Sequence, residues 1–80
     1  MKIIMDKLKR IKKCLKKING DEFEQETGLI IDGWMDSFML LRLICELEKE
    51  FNIIIELHEI LPENFDSVED ILIIVNKNGG

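Results

Sequence analysis

The chain is short of aromatic residues, with four phenylalanines, one tryptophan and no tyrosine, and it has a single proline. Aliphatic side chains, chiefly Ile and Leu, must therefore build its core. No apolar run approaches the roughly 18 residues of a membrane span. The Lys-studded, amphipathic beginning also lacks the continuous apolar centre of a secretion signal, so a soluble cytoplasmic protein without membrane insertion is expected. The two cysteines, Cys14 and Cys45, lie 31 residues apart, which is neither a redox pair nor a zinc spacing, and no metal site is expected. His58 is the only histidine. A nucleophilic triad needs a base and an orienting group, so one unassigned histidine does not make an enzyme. With 80 residues the sequence reads as one domain, 1–80, with a small core. That favours a protein that binds, or is acted upon, over one with its own deep catalytic pocket.

What is present is a folded balance of 46% hydrophobic and 34% charged residues. The charge is segregated. Residues 1–18 hold eight Lys or Arg against Asp6, a net of +7, while residues 21–70 hold fifteen Asp or Glu against Arg42 and Lys49, a net of -13. The acidic body would repel nucleic acid and attract a basic partner surface. The basic stretch reads as a solvated face that also balances the body.

Periodicity predicts an all-α chain. Ile4, Leu8, Ile11, Leu15 and Ile18 trace one stripe of a helix over about 3–18, closed by Asn19-Gly20. A long loop follows over about 19–36, with apolar anchors but no sustained period and room for one helical turn near Asp21–Gln25; connections of this length are often functional. Leu40, Leu43, Ile44, Leu47 and Phe51 predict a helix over about 37–50, with Ser37 near its N-cap. Ile53-Ile54-Ile55 then runs extended. A short helical turn is expected within about 57–65, either Leu57–Leu61 or Pro62–Phe65, and a last helix over about 67–77, started by Ser67.

From spacing alone, Ser37 is a plain helix cap. Its setting is more specific. Gly33-Trp34-Met35-Asp36-Ser37-Phe38, with Leu47-Glu48-Lys49-Glu50-Phe51 further along the same helix, resembles the attachment motif of acyl carrier proteins. The downstream Ile53-x-Ile55 and Pro62-Glu63-Asn64-Phe65-Asp66-Ser67-Val68 stand in matching register, so the likeness covers roughly residues 27–75. The resemblance implies a four-helix bundle with a long first loop and a short third helix. It implies that a phosphopantetheinyl transferase, using coenzyme A, attaches 4′-phosphopantetheine to Ser37, and that Asp36 helps present the serine. It also implies partners: an acyl- or aminoacyl-loading (adenylating) ligase and a downstream acyltransferase or synthase. The carrier itself would be non-catalytic and monomeric.

Helical spacing places Leu41 and Glu48 within about 40° of Ser37, with Phe38 and Cys45 farther round the same side. These four are the candidate partner-binding residues, although Leu41 could equally pack against the long loop. Phe38 stands where fatty-acid carriers have leucine, and Met39 and Leu40 where an acidic residue is usual. The Asp-Ser-Phe form is more similar to stand-alone carriers of the D-alanyl type than to the housekeeping fatty-acid carrier. Trp34 either wedges the loop against the helices or lies beside the arm. Glu56, Glu59 and Glu63 do not have calcium-loop spacing. The rival reading is an unmodified helical interaction domain that keeps the carrier fold.

Overall fold

The computed structural model describes residues 2–80. Three helices carry the fold: α1 (Lys2–Asn19), α2 (Ser37–Phe51) and α3 (Val68–Lys77). α1 packs against both α2 and α3.

In α1 the core stripe is Ile11, Cys14 and Leu15, flanked by the half-buried Leu8 and Ile18. Ile4, expected on that stripe, is half exposed in a groove that it lines with Leu8 and with Val68 and Leu72 of α3. The helix closes at Gly20, whose φ of +104° lets its N–H reach Lys16 O at 2.8 Å. In α2 the five expected apolar residues, Leu40, Leu43, Ile44, Leu47 and Phe51, are all buried. Asn52 ends it in the left-handed region at φ 54°, donating its N–H to Glu48 O. The next three isoleucines alternate: Ile53 and Ile55 are buried and Ile54 is exposed, the period of an extended strand.

Between α2 and α3 the structure departs from a four-helix plan. Two single 3₁₀ turns, Leu57–Glu59 and Pro62–Asn64, occupy the place of a short third helix. The cause is Pro62. Proline disfavours helical geometry in the residue before it, and Leu61 is extended at φ -117° and ψ 140°. Both expected segments therefore turn, and neither becomes an α-helix. Phe65, fully buried, anchors the second turn to the core, and Val68, Ile71, Ile74 and Val75 bury one face of α3.

Loop 20–36 contains no helix; only a turn at Asp21-Glu22 stands where a helical turn was considered. Its buried anchors are Leu29 and Met35. Phe23 and Trp34 meet edge to face, with ring centroids 5.8 Å apart, so Trp34 braces one part of the loop against another. Gly28 has a φ of +64°, and a Cβ there would run into the Asp32 carboxylate. The loop is sewn to the start of α3 by backbone bonds from Leu29 N–H to Asp66 O (2.8 Å) and from Val68 N–H to Glu26 O (2.9 Å).

Half of the basic side chains of α1 are ion-paired within the chain. Arg10 donates to a Glu50 carboxylate oxygen at 2.7 Å and to the Glu50 carbonyl at 2.6 Å, and its guanidinium lies 4.3 Å from the Phe51 ring centre. Lys13 pairs with Glu50, Lys12 with Glu26 and Lys17 with Glu46. Hydrogen bonds from Arg10 and Lys13 hold the Glu50 carboxyl below its ordinary value. Among the described residues no helix is long and apolar enough to cross a membrane.

Candidate functional site

α2 starts where the long loop ends, and the start is set by Asp36. Its backbone is extended (φ -93°, ψ -177°) and its carboxylate accepts the Met39 N–H at 2.8 Å, so Asp36 is the N-cap. This corrects the sequence expectation for Ser37. Ser37 is the first residue of the helix, one position inside the cap, and it is exposed. Its hydroxyl has no hydrogen-bond partner among the described residues. The N–H groups of Ser37 and Phe38 are likewise unpaired among those residues. The result is a free hydroxyl at the positive end of a 15-residue helix, beside a carboxylate whose Oδ1 is occupied by the cap.

The second serine shows the opposite arrangement. Ser67 caps α3 by accepting the Asp70 N–H at 3.0 Å, and it is half-buried. Its neighbour Asp66 uses Oδ1 to accept the N–H groups of Ile30 (2.8 Å) and Ile31 (2.9 Å). Asp66 thus fixes the loop that delivers Ser37, a role the sequence reading did not find. An Asp-Ser pair states which residues can cap, but only distant partners decide which one does.

Of the other candidate residues, Phe38 and Leu41 are 70% and 53% exposed. Cys45 is an exposed free thiol on the same helix. The three lie at i, i+3 and i+7 and share one side of α2. Leu41 is not covered by the loop. Glu48 is different: it is half-buried, and its Oε2 accepts the Ile55 N–H at 2.9 Å, tying the extended segment to α2. Its side chain is engaged internally, unlike the other three. Cys14 is buried, and that burial, helped by Glu50 and Glu46, pushes its thiol up to about 11, so it is inert. His58 is exposed.

Among the described residues one charged side chain lies in the core. Glu59 is 4% exposed. It accepts the Glu56 N–H at 3.1 Å and the Asn78 side-chain amide at 3.2 Å, with Lys77 at 3.8 Å. The Glu56 hydrogen bond foremost, then Asn78 and Lys77, hold its carboxyl below the ordinary value despite burial. It fastens the first 3₁₀ turn to the end of α3.

Comparison with known proteins adds a sequence similarity. The chain is 29% identical over 76 residues to an acyl carrier protein of Phytoplasma australiense, an alignment spanning 95% of this chain and 97% of that one. No protein-family model and no solved structure matches it. With the all-α fold, the similarity supports a place in the acyl carrier superfamily at large: a carrier or interaction protein, not an enzyme.

Proposed function

We propose that the chain is an acyl or aminoacyl carrier protein modified at Ser37 with phosphopantetheine. The observation that carries this reading is the free, exposed Ser37 hydroxyl one residue inside the Asp36 cap. The site fits the group: a phosphate on Ser37 would sit at a helix N-terminus with two unpaired backbone N–H groups, which favour negative charge there. In the modification, Ser37 Oγ bonds to phosphorus and the pyrophosphate P–O bond of coenzyme A breaks. The adenosine bisphosphate half leaves, and the hydroxyl proton passes to a base of the transferase. The thiol at the end of the arm is what holds cargo as a thioester.

The chain's own residues supply position. Asp36 fixes the first turn of α2 and presents Ser37 to the transferase. The Asp66 and Leu29 bonds hold the loop that leads into it. Phe38, Leu41 and Cys45 offer the exposed side of α2 to the transferase, the loading ligase and the downstream acyltransferase or synthase. Glu48 contributes charge behind them. A cytoplasmic monomer of the stand-alone type, nearer the D-alanyl carriers than the fatty-acid carrier, belongs to the same reading.

Incubation with coenzyme A and a broad-specificity phosphopantetheinyl transferase tests it. The chain should gain about 340 Da by intact mass and Ser37→Ala should gain nothing. A folded chain that binds the transferase yet gains no mass would instead be an unmodified interaction domain.

A further inference from the structure

We propose that the groove between the loop that leads to Ser37 and the start of α3 is a second docking surface, fitted to a basic segment of a partner protein that carries a large aliphatic side chain. The groove holds about 400 Å³ and is lined by Ile30, Ile31, Pro62, Glu63, Asp66 and Asp70. It is separate from the Phe38–Leu41 side of α2 and does not depend on the carrier reading.

Three observations converge on it. Ile31 is 81% exposed, an aliphatic side chain held in water. The backbone that holds it there is already ordered. Its own N–H and that of Ile30 are bonded to Asp66, Gly33 N–H reaches Ile30 O at 3.0 Å, and Met35 N–H reaches Leu29 O at 2.9 Å. A pre-ordered apolar display loses little conformational freedom when a partner covers it.

The rim supplies the sign of that partner. Glu63, Asp66 and Asp70 have no Lys or Arg partner among the described residues, whereas Glu26, Glu46 and Glu50, which face α1, are all paired. The acidic end of the molecule is therefore available to an outside cation. A Lys- or Arg-bearing segment would be steered to the groove by charge, and an apolar side chain would then bury Ile31 and Pro62. A second copy of this chain is a poorer occupant. Its basic element is α1, where Arg10, Lys12, Lys13 and Lys17 are paired at home and Lys7 reaches Asn76, which leaves Lys2, Lys9 and Lys16 without an ion pair among the described residues.

The test uses the intact chain, isotope-labelled for amide NMR. It is titrated with a short lysine-rich peptide containing two leucines, and with the same peptide carrying serine in their place. The leucine peptide should bind about tenfold more tightly, shifting the amides of Ile30, Ile31, Glu63 and Asp70. Ile31→Ser should remove most of that advantage. Glu63→Gln should weaken both peptides about twofold and flatten their salt dependence. Neither side chain hydrogen-bonds in the structure, and unchanged circular dichroism will show that both variants fold. Equal binding of the two peptides, shifts centred on Phe38 and Leu41, or self-association through Ile31 without peptide would each overturn the proposal.

Discussion

Asp36-Ser37 and Asp66-Ser67 are the same dipeptide at the start of two helices, yet the residues exchange roles. At α2 the aspartate caps and the serine is left free in solvent; at α3 the serine caps and the aspartate is drawn away to the loop. The difference arises from what is nearby. Two loop N–H groups compete for the Asp66 carboxylate, so Ser67 takes the cap. No long-range donor reaches Asp36 among the described residues, and it takes the cap itself. A helix start becomes chemically useful when its capping need is met by a neighbour, because only then is the hydroxyl left over.

That contrast can be broken by substitution, beginning with the largest effect. Asp66→Ala removes the acceptor of two backbone N–H groups and should cost about 2–3 kcal/mol in urea unfolding, with faster amide exchange at Ile30 and Ile31. Cap removal is smaller. Asp36→Ala and Ser67→Ala should each cost about 1 kcal/mol. Ser37→Ala should change stability by less than about 0.5 kcal/mol, since its hydroxyl holds nothing. Equal losses from the two serine variants would mean that both serines cap.

Acid sharpens the comparison by acting elsewhere. The Glu50 and Glu59 carboxyls lie below the ordinary value of 4.5 in the folded chain. Their contribution is therefore complete above the unfolded value and is lost as pH falls through the folded one. Stability should drop below about pH 4.5, and Glu50→Gln or Glu59→Gln should flatten that drop in acid titrations followed by circular dichroism. Salt should do least. The α1 pairs are mostly solvent-facing, and raising ionic strength should shift the urea midpoint by an amount worth about 1 kcal/mol or less.

The all-α class and the three major helices were legible because their apolar stripes are long and regular, α2 above all. Part of what escaped the sequence was local and part was set at a distance. The split of residues 57–65 into two 3₁₀ turns follows from a local rule about Pro62 that a search for helical period passes over. Asp66, Glu59 and Glu48 look like surface carboxylates in the sequence, and each is a tie to a backbone or side chain elsewhere. Ser37 was found through its motif, but its freedom could not be read there, since Asp and Ser are both good caps.

The central claim is that these two serines differ in availability, and site-resolved mass spectrometry tests it most directly. After treatment with coenzyme A and transferase, fragmentation should place the phosphopantetheine wholly on Ser37, with Ser67 bare. Modification at Ser67, or at both serines, would contradict the account.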